Sequence, residues 1–127
     1  MKRDMELCRK ILFAIDDEYV DTAIYDLKID GYSMEQVVYH CKILHDADLI
    51  SDYGAQFADN HIWAFGVGAL TWEGHEYLDK IRQDTVWNKT KDVITQKGLP
   101  MAVDVIKEVA TAIISSMTEG AIKAMKG

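Results

Sequence analysis

Cysteine is scarce in this chain, and what there is lacks metal-binding spacing. Cys8 and Cys41 are the only two, and no Cys-x-x-Cys or His-Glu-x-x-His pattern joins them to His40, His45, His61 or His75. His40 and Cys41 are neighbours on an expected helix, so their side chains diverge by roughly 100° and do not share an ion. No metal and no other cofactor is expected. Both cysteines fall on apolar helix faces and read as buried free thiols rather than a disulfide.

Long apolar runs are missing too. No window approaches the ~20 consecutive apolar residues of a membrane-spanning helix. A charged-then-apolar leader is also absent, and the expectation is a cytoplasmic protein. There is no Gly-rich phosphate loop, no nucleophile elbow and no framed pair of carboxylates. The glycines at 31, 54, 66, 68 and 74 read as turns, strand kinks and one helix position. Glu73, His75 and Glu76 fan around a helix instead of converging. No catalytic residue is assigned, and an enzyme is not expected.

What remains is an ordinary globular composition. At 127 residues, 49% hydrophobic and 28% charged, the chain can build one real core but not two comfortable ones. The net charge of −7 is unevenly placed. Residues 1–60 hold six Lys/Arg against thirteen Asp/Glu, whereas residues 61–127 hold eight of each.

Periodicity places the elements. Met5, Cys8, Ile11, Leu12 and Ile15 recur at helical spacing, and Asp16-Asp17-Glu18 ends that run. Ile24, Tyr25, Leu27 and Ile29 fit either a short strand or one to two helical turns, with Gly31 as a turn. Ser33 and Gln36 form a capping box ahead of Met34, Val37, Val38, Cys41 and Leu44. Two β-leaning runs then flank a polar turn at Asp59-Asn60, which predicts a hairpin. Thr71 caps the next helix, with Tyr77, Leu78 and Ile81 inward and His75 and the glutamates toward solvent. That helix either continues or breaks near Asp84, and Gly98 stops it. Pro100 reads as the first position of a last helix reaching Gly127. Its broad apolar face runs from Val105 to Met125. Trp63, Trp72 and Trp87 are expected to build core around the hairpin–helix junction, Trp72 at its rim.

The order helix, short element, helix, hairpin, helix predicts an α+β, winged-helix-like domain over residues 1–98. An added C-terminal helix for association or packing spans 99–127. "MKRDMELCRKIL", "GYSMEQVVYHCKILHDADLI" and "LTWEGHEYLDKIRQDTVWNKTKD" resemble the three blocks of the domain of unknown function 2513 family. The resemblance covers residues 1 to about 92. It implies a winged-helix-like fold in Gram-positive bacteria, their phages and prophages, and supplies no catalytic residues. Where the family usually carries glycine, this chain has Asp48, a residue that tolerates the left-handed conformation of a helix stop.

Function is then a question of surfaces. In a winged helix the reading helix is the one over 34–47, and its solvent face would present Glu35, Gln36, Tyr39, His40, Lys42, Ile43 and Asp46. Such a face suits a basic protein partner, with Glu35, Tyr39, His40, Lys42 and Ile43 as contacts. Ile43 equally suits contact with the neighbouring hairpin. The alternative is a DNA-binding regulator using Lys2, Arg3, Arg9, Lys10 and Lys42. Duplex affinity comes from Lys/Arg neutralising phosphate, and the expected wing, residues 52–62, has neither. Ile106, Val109, Ala110, Ile113 and Met117 on the last helix are candidates for homo-oligomer formation. Packing back on the domain comes second, and membrane contact is not favoured, because both signs of charge line the polar face. A weaker alternative is a defence or toxic effector acting through this helix.

Overall fold

The computed structural model describes residues 1–126; Gly127 and the side chain of Lys126 lie outside the described residues. The elements are α1 (Met5–Glu18), β1 (Ile24–Tyr25), α2 (Met34–Asp46), β2 (Tyr53–Ala58), β3 (His61–Val67), α3 (Trp72–Ile81), α4 (Asp84–Gln96) and α5 (Val103–Lys126). The chain is α+β, with a three-stranded antiparallel sheet in the order β1-β3-β2. This arrangement is winged-helix-like, as the element order predicts. Two compact units, Met1–Leu78 and Asp79–Gly127, divide within α3. Helix α4, which periodicity groups with the preceding residues, falls in the second unit.

In the first unit the helices start and stop on chemistry that the sequence carries. Asp4 caps α1, its Oδ1 accepting the Glu6 and Leu7 amides at 2.9 and 3.2 Å. Ser33 and Gln36 form the expected reciprocal capping box at α2. Asp48 ends α2 in the left-handed region at φ +62°. The Asp48 and Leu49 amides turn back to the carbonyls of His45 and Leu44, the paired bonds of a Schellman stop. Met5, Leu7, Cys8, Ile11, Leu12 and Ile15 of α1 are buried, as are Val37, Val38, Cys41 and Leu44 of α2.

Strand β1 is short because Asp26 turns left-handed, at φ +53°. Its own amide donates to Phe65 O and its carboxylate accepts the Phe65 amide, so the side chain replaces the next rung of the ladder. Asp59 and Asn60 both have positive φ, the requirement of a two-residue type I′ turn. Phe65 and Val67 point into the core, and the register shifts between Gln56 and Phe57.

The hairpin is closed at its neck. Ile50 bridges Leu70, the Ser51 amide donates to Ala69 O, and the Gly68 amide donates to Asp52 O. Thr71 binds the neck to the end of α2. Its hydroxyl donates to Asp48 O and accepts from the Gly74 amide, while its own amide donates to Leu49 O. Gly74 is required here, because a Cβ would collide with the Leu49 carbonyl oxygen.

The second unit is a helical hairpin. A break at Arg82–Gln83 separates α3 from α4, one of the two expected alternatives. Gly98, at φ +65°, stops α4 with the bonds of a second Schellman motif, Gly98 N to Thr95 O and Leu99 N to Ile94 O. Pro100 is not a first helical position. Helix α5 starts at Val103, with the Ile106 amide on Ala102 O, so Pro100 lies in the connection that reverses the chain. At 24 residues against 13, α5 spans roughly 36 Å against roughly 20 Å for α4, and it outruns its neighbour.

Candidate interaction surface

Helix α2 occupies the reader position, and its outward residues are fewer than expected. Glu35, Gln36, Lys42 and Asp46 are exposed, and Tyr39 and Ile43 are half-buried. His40 is not on this face: it is 1% exposed. Its Nε2 lies 2.8 Å from the Asp4 amide and its Nδ1 lies 2.7 Å from the Gln36 carbonyl oxygen. A neutral ring protonated on Nδ1 satisfies both, donating to Gln36 O and accepting from Asp4 N–H. His40 therefore belongs to the α1–α2 packing rather than to a partner surface.

The basic set is also reduced. Arg9 is buried, its guanidinium carbon 4.9 Å above the centre of the Phe13 ring, so it presents no charge to a phosphate. Lys10 lies over the Tyr32 ring at 5.5 Å, and Lys2, Arg3, Lys10 and Lys42 are exposed. From residue 43 to residue 79 there is no Lys or Arg at all, against seven Asp/Glu. That stretch includes the end of α2, the whole wing and most of α3.

The same stretch exposes aromatic surface that polarity rules assign to the core. Phe57, Trp63 and Trp72 are between 61% and 76% exposed. Of the three indoles only Trp87 is buried, which corrects the expectation that all three build core and that Trp72 closes a rim. The opposite face of the sheet holds a groove of about 540 Å³ floored by Gly54, Ala64 and Gly66. Tyr25 on β1 is register partner to Gly66, and its ring atoms come within 3.2 Å of where a Gly66 Cβ would stand. Such an aromatic–glycine cross-strand pair covers backbone that glycine leaves bare.

The second unit has its own apolar surface. Ile106 and Ala110 are buried, so these two are unavailable to a second copy, contrary to their expected role. Val109 and Ile113 are half-buried and line a groove with Val93 and Leu99. Met117 and Ile122 line another with Val86, and Met125 beyond them is almost fully exposed.

Buried groups elsewhere are inert or unpaired. Cys8 and Cys41 are free and buried, and burial pushes both thiols up to about 12. Tyr77 is fully buried; its hydroxyl has no hydrogen-bond partner, and burial, then the neighbouring Cys8, pushes its ionisation upward. Thr90 Oγ1 is likewise buried and unpartnered. Among the described residues, no three His, Cys, Asp or Glu side chains come together as metal ligands. No helix among them is long and apolar enough to cross a membrane.

Residues 2–100 match the family described as "Hypothetical protein (DUF2513)". A relative in Haemophilus influenzae, itself described as uncharacterised, is 41% identical over 120 residues, covering 92% of this chain and 98% of its own. No solved structure matches.

Proposed function

Since the chain belongs to the domain of unknown function 2513 family, whose name carries no reaction, we propose a function read from its surfaces: a non-enzymatic, cytoplasmic interaction module that contacts a basic protein. One observation carries the reading: the stretch from 43 to 79 without Lys or Arg, with its seven carboxylates and exposed Phe57, Trp63 and Trp72. A duplex would meet repulsion there, because DNA affinity depends on Lys/Arg at the phosphates. A protein rich in Lys/Arg would meet attraction, with aromatic faces to hold its cations. On α2 the contacts are Glu35, Tyr39, Lys42 and Ile43. A phage or mobile-element setting follows from the family resemblance, and gene neighbourhood tests it.

The test is a pair of measurements on the full chain. Gel shift at low salt, on fragments from its own locus, should show no complex at micromolar protein. Capture from host lysate should give a basic partner that Tyr39→Ala or Ile43→Asp weakens. A DNA shift abolished by Lys2→Ala with Arg3→Ala would overturn the reading in favour of a regulator.

Self-association through α5 is a second component, favoured by the exposed Met117, Ile122 and Met125 along its C-terminal half. Apolar side chains of this size on a projecting helix gain by covering one another.

A further inference from the structure

Strand β2 is an edge of the sheet, and among the described residues its outer side pairs with no strand. Its sequence, Tyr-Gly-Ala-Gln-Phe-Ala, has no charge and no proline. Edge strands carry unpaired N–H and C=O groups that template another strand, and soluble proteins usually blunt them with Lys, Pro or a covering element. β2 carries neither Lys nor Pro, and although α2 packs near Tyr53, the residues Gly54, Gln56, Phe57 and Ala58 are exposed. The charges stand just outside its ends instead. Asp52 precedes it and Asp59 follows it, both exposed.

We propose that the β2 edge is a strand-addition site for an extended segment of a partner protein, with Lys or Arg at both ends of the added strand. Main-chain hydrogen bonds along Tyr53–Ala58 supply the attraction, and the two carboxylates select the charge of the occupant. The proposal rests on the protein-contact reading and names its surface.

A second copy of this chain is the obvious competitor, and charge argues against it. Antiparallel pairing of β2 with its twin, centred between Ala55 and Gln56, sets Asp52 of each copy opposite Asp59 of the other. Like charges directly opposite destabilise a pair of strands, and each copy already carries −7. A strand with basic ends turns both repulsions into attractions.

The experiment uses the full-length protein with labelled backbone amides. The probe is a capped octapeptide of alternating Val and Thr with Lys at both ends; controls are the same core with Glu ends and two Lys-ended versions N-methylated at alternate residues. The Lys-ended probe should shift the amides of 53–58 and slow the hydrogen exchange of those that point away from β3. The Glu-ended probe should bind about tenfold more weakly, since two paired charges change sign. Asp52→Asn with Asp59→Asn should remove most of that difference; Asn tolerates the left-handed φ of residue 59. At least one N-methylated probe should fail, because a ladder cannot form without its donors.

Equal binding of Lys- and Glu-ended probes, or full binding of both N-methylated ones, would overturn the proposal. So would a dimer whose outward-pointing β2 amides are protected without any probe. If no probe binds but partner capture still depends on Tyr39 and Ile43, strand addition fails and the protein-contact reading stands. A DNA complex without a protein partner defeats both.

Discussion

The imidazole of His40 accepts the backbone N–H of Asp4, 36 residues earlier in the chain, at 2.8 Å. That bond ties the residue that caps α1 to the middle of α2. His40→Leu keeps bulk but leaves the Asp4 amide and the Gln36 carbonyl without their ring partner. We expect a loss of ~1–3 kcal/mol in urea unfolding. Glu35→Ala on the exposed face should stay within ~0.5 kcal/mol.

Tyr77→Phe should go the other way. The hydroxyl is buried with no partner, so its removal relieves a desolvation cost and deletes no bond. Thermal unfolding should show a gain on the order of 1 kcal/mol, and a loss would reveal a hydrogen bond to the hydroxyl in solution.

Gly74→Ala sets two effects against each other. Alanine favours helix by ~1 kcal/mol over glycine. The new Cβ, however, meets the Leu49 carbonyl, which is backbone and held by Thr71. The collision should win, with a net loss of at least ~2 kcal/mol in chemical unfolding.

The thiols predict an alkaline slope. Cys8 and Cys41 ionise near 9.0 when free and at about 12 in the folded chain, so folding favours their protonated forms. Their contribution is intact below pH 9 and is lost as pH rises from there toward 12. By pH 10 the loss should amount to on the order of 1 kcal/mol per thiol. Replacing both with Ala should flatten that part of the stability–pH curve. At pH 8 the native protein should resist thiol reagents, and the unfolded chain should react at both positions.

Helix α5 gives the last prediction. Met117→Lys with Ile122→Lys should shift the self-association midpoint by at least about tenfold, since each charge occupies exposed apolar surface. Light scattering across a concentration series measures it. A wild-type chain that is monomeric throughout would defeat the α5 reading.

The sequence was most legible where spacing alone decides. The capping box at Ser33, the cap at Thr71 and the inward Tyr77, Leu78 and Ile81 all follow from position, while the left-handed Asp48 follows from the family resemblance. It misleads where residue type and position disagree. His40 stands with Val37, Cys41 and Leu44 at three-and-four spacing, on the buried stripe, and Arg9 stands likewise with Met5, Cys8 and Leu12. Polarity alone points both outward. An indole suggests burial for Trp72, although the buried stripe of α3 runs through Gly74, Tyr77, Leu78 and Ile81. Trp63 shares the alternation of Phe65 and Val67, yet it sits where the register shifts. A bulge of that kind is set by pairing, which no local pattern announces. The break between α3 and α4 was legible only as an alternative. The free edge of β2 needed the strand order to be seen at all.

The closed neck of the hairpin has a consequence for how this chain tolerates change in length. Ile50 and Leu70 are already held together by their bridge, and Thr71 anchors both sides of the neck to the end of α2. Residues added at Asp59-Asn60 would lengthen a loop whose ends are fixed, and doubling such a loop costs only ~0.6 kcal/mol in closure entropy. The wing is therefore where insertions, reporters or foreign recognition sequences can be carried while the helices below keep their register.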